Sequence, residues 1–153
     1  QKMFYYKLNL FYEYYTWLGT KAVKKKNFIA PQRLRNIKGK IYPKWRIDTF
    51  FSKKKYSNLI FINNGGWHFT CLRTPKELEK KLLNFAHHYE FEESGLKIND
   101  LRKLIEEKRV MYDHNVDQKG YKWSGKSILK NLDTSLLPDY ILSNLDKYKN
   151  WLD

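Results

Sequence analysis

The side chains able to do chemistry gather in two short stretches. The first is Gly65-Gly66-Trp67-His68-Phe69. Two glycines let the backbone turn sharply and let a ligand come close to the main chain. A neutral imidazole beside them suits a metal ion or a phosphate. The Trp67 indole offers a flat apolar face. A lone His68 fits equally well as a hydrogen-bonded histidine with a structural role. The second stretch is Ala86-His87-His88-Tyr89-Glu90-Phe91. Glu90 is a candidate general base, or the partner that orients a histidine. His87 or His88 can instead cap a helix C-terminus, where a cation is favourable. Adjacent histidines do not make the i,i+4 pair of a helical zinc site. Arg33, Arg35, Arg46 and Arg73 form a third set, because the guanidinium fork suits a diphosphate; each is also ordinary surface charge. The chain has no glycine-rich phosphate loop, no nucleophile elbow and no cysteine spacing for a metal. It carries no helix-turn-helix or RNA-binding signature.

The elements that must position these residues follow from pattern. The apolar run Leu59-Ile60-Phe61-Ile62 predicts a buried strand over 56–62 that ends in the two glycines. Residues 67–72 read as extended. Thr74-Pro75-Lys76-Glu77 is a helix start, with a capping threonine, proline at the first position and a box-closing glutamate. That helix is predicted to run to about residue 87 with Leu78, Leu82, Leu83 and Phe85 on one face. A second is expected over 98–110 with Leu101, Leu104 and Ile105 inward. A third is expected over 138–152 with Ile141, Leu142, Leu145, Tyr148 and Leu152 inward. Phe4, Tyr6, Leu8 and Leu10 alternate, which favours one strand over 2–15, with a helix as the alternative. A broken or edge strand is expected over 39–47 around Pro43. Residues 24–26 and 52–55 read as basic loops, and 113–127 as irregular.

The 153 residues suffice for one domain with a real core, and a composition 42% hydrophobic and 17% aromatic argues for a globular fold. The net charge of +14 suggests phosphate-bearing partners, nucleic acid or an acidic surface. Only six of the 30 basic residues are Arg, and Lys, Asn, Tyr, Ile and Phe abound, which is the pattern of AT-rich coding drift. On that basis nucleic acid is not the expected partner. A single cysteine, Cys71, excludes an internal disulfide and fits a reducing, cytoplasmic setting. No apolar run approaches the roughly 18 residues of a membrane span. The sequence opens on Gln1 without a signal peptide, as expected of a processed product or a fragment.

Five ordered segments together resemble the C-terminal part of glycosyltransferase family 17, the enzymes similar to β-1,4-mannosyl-glycoprotein β-1,4-N-acetylglucosaminyltransferase. They are Met3-Phe4-Tyr5-Tyr6 with Leu8-Asn9-Leu10, then Trp17, Gly19-Thr20 and Pro31-Gln32 with Leu34-Arg35. Gly66-Trp67-His68-Phe69-Thr70 follows, with Thr74-Pro75 and Lys81-Leu82. Next come Phe85-Ala86 with His88, Glu90 and Phe91, where one extra residue makes His88-x-Glu90-Phe91 the better register. Last is Leu137-Pro138-Asp139-Tyr140-Ile141 with Trp151-Leu152. The resemblance spans nearly the whole chain, taken as one domain over 1–153. It implies a GT-A-type, Rossmann-like α/β fold and a nucleotide-sugar donor. The sugar, GlcNAc by analogy, would pass to a glycan acceptor. A divalent cation, Mn²⁺ or Mg²⁺, would sit on the donor diphosphate. His68 would be a metal contact, Glu90 the catalytic base, and Gly65, Gly66, Trp67, Arg73 and His88 would bind substrate. Asp48 and Asp113 are further candidate bases. The family's Asp-x-Asp should precede Met3, beyond the start of this sequence. A eukaryotic member would work in the Golgi lumen.

Two other classes compete with the enzyme. One is a degenerate, non-catalytic module that binds glycans or sits in an assembly. The other is a basic nucleic-acid-binding domain, suggested by charge and by interleaved aromatics such as Lys53-Lys54-Lys55-Tyr56.

Overall fold

The computed structural model describes residues 1–86, 88–116 and 120–153. They form two compact units, one of Gln1 with Trp17–Gly65, the other of Lys2–Thr16 with Gly66–Asp153. The second unit is mixed α/β and is built on a four-stranded open sheet.

Four strands make that sheet: β1 (Lys2–Tyr5), β2 (Leu10–Thr16), β3 (Trp67–Thr70) and β4 (Lys130–Asn131), in the order β3-β1-β2-β4. β1 runs parallel to β3 and antiparallel to β2, and β2 is antiparallel to β4. The single strand expected over 2–15 is therefore a hairpin. Its alternation fails at Tyr6, whose φ of 63° puts a non-glycine residue in the left-handed region and turns the chain. Asn9, in the turn, binds the far end of the chain: its Oδ1 accepts from the Asp153 amide at 2.8 Å.

Strand alternation sorts the side chains into two faces. On one, Phe4 packs its ring against Phe11 and Phe69, and this cluster meets Leu8, Leu137 and Ile141. On the other lie Met3 and Tyr5 with their register partners His68 and Thr70.

The helix start at Thr74 forms as expected. The Thr74 side chain accepts from the Glu77 amide, and Glu77 accepts from the Thr74 amide. The helix α3 (Pro75–Leu83) ends earlier than expected, and a separate α4 (His88–Ser94) follows. Leu78 and Leu82 are buried, whereas Leu83 and Phe85 are half exposed. α5 (Ile98–Glu106) buries Leu101, and Glu79 of α3 accepts from the Ile98 amide at 3.1 Å, tying the two helices. The C-terminal stretch is not one helix but two short ones, α6 (Asp139–Leu142) and α7 (Leu145–Tyr148), and a 3-10 turn, Lys149–Trp151.

The first unit is sparse in regular structure. It holds a 3-10 turn, Lys25–Asn27, and two short helices, which take the labels α1 (Pro31–Asn36) and α2 (Asp48–Phe51). The strand expected over 56–62 does not form. Ile60 and Ile62 are exposed, and the segment's one ladder contact is an isolated bridge from Tyr56 to Ile41. That bridge is also all the strand character found over 39–47.

Candidate active site

The start of β3 is set by Gly66. Its φ of 113° suits glycine alone, and its carbonyl accepts from the Lys2 amide at 3.0 Å, which opens the parallel pairing of β1 and β3. The glycines thus lead into a strand rather than closing one. From there the pleat separates neighbours. Trp67 shares its face with Phe69, and its Nε1 donates to the Leu136 carbonyl at 2.9 Å. His68 points to the opposite face with Thr70, Met3 and Tyr5.

That opposite face opens on a cavity of 280 Å³ lined by Tyr5, Thr70, Cys71, Lys81, Leu82, Phe85, Glu90, Met111, Tyr112, His114 and Trp123. It lies beyond the carboxyl ends of the two parallel strands, the usual place for ligands in α/β sheets. Both strands end in a strained residue there, Tyr6 with φ 63° and Cys71 with φ 56°. Such non-glycine strain costs about 1–3 kcal/mol and concentrates at functional sites. Tyr6 is held by a buried clamp, its hydroxyl donating to the Arg109 carbonyl at 3.0 Å and accepting from the Met111 amide at 2.9 Å.

The electrostatics of this wall favour neutral imidazoles beside a cation. Burial pushes His68 below the ordinary histidine value, and the charge of Lys81 pushes it further. Burial also pushes His114 down, helped by Lys122 and His68 and opposed by Asp113. His114 stacks on Tyr15 with centroids 4.6 Å apart, and its Nε2 lies 3.3 Å from the Tyr5 hydroxyl. The Cys71 thiol is raised by burial, which makes it a poor nucleophile.

Of the residues expected from the sequence, Glu90 lines the cavity, and His68 stands near enough to bear on its His114 wall. The others lie apart from the lining. Gly65 belongs to the first unit. Arg73 is exposed. The His88 ring turns to the Phe85 carbonyl at 3.1 Å and leans on Tyr89. The capping role considered for His87 falls outside the described residues. Asp48 is bound by Lys55 and Arg46, which hold its carboxyl below the usual range. Asp113 is buried; desolvation pushes its carboxyl up, but hydrogen bonds from Ser127, Tyr12 and the Asn115 amide outweigh that and hold it low. With their oxygens so engaged, neither aspartate is suited to act as a base near neutral pH. His114 contributes to the wall without any motif announcing it, and Tyr5, though within the Met3-Phe4-Tyr5-Tyr6 run of the resemblance, has no role that the sequence assigns.

Among the described residues, no group of three or more His, Cys, Asp or Glu side chains could hold a metal ion. The imidazoles of His68 and His114, with Glu90 in the lining, do not make such a group. Comparison with protein-family models, with curated proteins and with solved structures found no match. Among the described residues, no helix is long and apolar enough to cross a membrane.

Proposed function

We propose that this chain carries the acceptor-side part of a GT-A-type glycosyltransferase. It would move a sugar, GlcNAc by family analogy, from a nucleotide-sugar donor to a glycan acceptor. The observation that supports the reading is convergence. Tyr5 of the Met3-Phe4-Tyr5-Tyr6 segment, Thr70 and Lys81 of the Gly-Trp-His segment and Glu90 of α4 come from three separate segments of the family resemblance, yet they line one cavity.

In this reading Lys81 is the cation facing the leaving diphosphate, where a fixed positive charge lowers the barrier. Glu90 takes the proton of the acceptor hydroxyl. The strained strand ends hold Tyr5 and Thr70 against the reacting groups. A divalent ion, were one bound, would add positive charge at the diphosphate, with His68 as the contact that the family resemblance assigns to it. Trp67, on the other face, is assigned to a remote part of the glycan.

A screen of nucleotide sugars with Mn²⁺ or Mg²⁺ on the intact gene product tests this. Release of nucleoside diphosphate is expected for one donor class. His68→Ala should abolish metal-dependent donor hydrolysis. Glu90→Gln should lower transfer by roughly 100-fold or more while donor hydrolysis persists. Undiminished activity in both variants would remove these residues from the chemistry.

A further inference from the structure

The charge of this chain is not evenly spread. The unit of Gln1 and Trp17–Gly65 carries thirteen Lys or Arg against one acid, Asp48, which is +12 of the total +14. The same unit exposes large apolar side chains. Trp45 is 79% exposed, Ile47 71%, Phe50 78% and Phe51 84%. Ile47, Phe50 and Phe51 fall at i, i+3 and i+4 of the turn formed by α2, so they share one face.

This turn is held in place. Asp48 accepts two bonds from Arg46, each 2.8 Å, and one from Lys55 at 2.7 Å. The same two cations lie over the ring of buried Tyr42, at 5.4 and 5.8 Å from its centroid. Thr49 is buried and its hydroxyl donates to the Arg46 carbonyl at 2.7 Å. With Asp48, Arg46 and Lys55 consumed in the scaffold, exposed Lys44, Lys53 and Lys54 flank the apolar face.

We propose that residues 44–54 form a membrane-docking tip for an anionic bilayer. Trp45, Ile47, Phe50 and Phe51 enter the interface, and Lys44, Lys53 and Lys54 meet the lipid headgroups. Aromatic and aliphatic side chains on one face with lysines around them are the make-up of interfacial anchors. Charge complementarity selects the occupant. A unit at +12 repels a second copy of itself. Ten of its thirteen cations are Lys rather than base- and phosphate-forking Arg, so nucleic acid fits less well. The proposal is independent of the transferase reading.

Co-sedimentation with phosphatidylcholine vesicles, with and without phosphatidylserine, tests it. Binding is expected only with phosphatidylserine and should fall as salt rises. At about fivefold per lysine neutralised, K44Q/K53Q/K54Q should weaken it by roughly 100-fold. Phe50→Ser with Phe51→Ser should weaken it by about tenfold or more, with the far-UV spectrum unchanged because both rings are exposed. Brominated lipid should quench tryptophan fluorescence in the wild-type protein, and Trp45→Phe should remove that quenching. Equal binding to neutral vesicles, or quenching that survives Trp45→Phe, would overturn the proposal. So would a dimer in sedimentation that Phe50→Ser with Phe51→Ser dissolves, or retention on single-stranded oligonucleotide without vesicle binding.

Discussion

Tyr12 and Asp113 show how a single buried pair contributes to the pH response at both ends of the range. The Tyr12 hydroxyl donates to Asp113 Oδ1 at 2.6 Å, and burial together with that carboxylate pushes the phenol up to about 12. The folded state thus holds the phenolic proton more tightly than the unfolded chain, whose value is near 10.0. The stabilisation from Tyr12 is fully present below the unfolded value and is lost as pH rises through about 12. Asp113 behaves in the opposite sense. Its lowered carboxyl stabilises the fold above the unfolded value of 3.8, and that contribution is lost as pH falls through the lower folded value. Tyr12→Phe is therefore expected to cost about 1.5–3 kcal/mol, typical of a hydrogen bond to a charged group. It should also flatten the alkaline limb of stability. Urea titrations across the pH range measure both effects, and an unchanged alkaline limb would exclude Tyr12 as its source. Nothing in the sequence pairs these residues, which are about a hundred positions apart. The same holds for Tyr5 and His114. Single aromatic residues carry no motif, and only the fold brings them to one wall. Glu90 and His68 stand out in the sequence because each sits in a short run with a recognisable order, but only the fold shows that Glu90 lines the cavity and that His68 stands near its wall.

Among the elements, legibility followed local chemistry. The start of α3 could be read because a threonine, a proline and a glutamate at fixed offsets satisfy the orphan amides of a first turn within four residues. Thr74→Ala removes the cap and should cost about 1 kcal/mol in urea unfolding, with α3 fraying first in hydrogen exchange. By contrast, an apolar run over 56–62 reads as a strand only if a neighbour supplies ladder bonds. Over 56–62 the one such contact is the isolated bridge from Tyr56 to Ile41. The C-terminal helix failed for a different reason. Asn144 leaves helical geometry, with φ −134° and ψ 30°, and its side chain donates back to the Tyr140 carbonyl at 2.8 Å. Asparagine competes for backbone partners in this way, so the apolar period survives while the helix breaks. Gly66 belongs to the same scale, since it fixes where β3 begins. Gly66→Ala forces a side chain into φ 113° and should destabilise by about 1–3 kcal/mol. Weakened β1–β3 amide protection in that variant would tie the loss to the strand entry, and a wild-type protection pattern would sever that link.

Across the whole molecule, core and charge are divided between different stretches of chain. Between Trp17 and Gly65 only Tyr42 and Thr49 are buried, and the thirteen basic residues there face a single acid. The other unit buries Phe4, Tyr5, Tyr6 and Tyr12 together with Leu78, Leu101 and Leu137, and its charges nearly balance. Local stability follows buried apolar contact, so the two units should not open at the same free energy. Self-repulsion lowers the stability of the basic unit further, and salt relieves it by shortening the reach of each charge to roughly 8 Å at physiological ionic strength. Native-state hydrogen exchange is therefore expected to show amides of Trp17–Gly65 exchanging well before those of β1, β2 and α5. Added sodium chloride should raise protection in the basic unit by more than it raises protection in the sheet. Sulfate is a poor substitute in this experiment, because it strengthens apolar burial everywhere and would lift both units together. If the basic unit is as well protected as the sheet at low salt, then its few buried groups hold it more strongly than burial alone allows. If its protection ignores sodium chloride, self-repulsion is not what limits it.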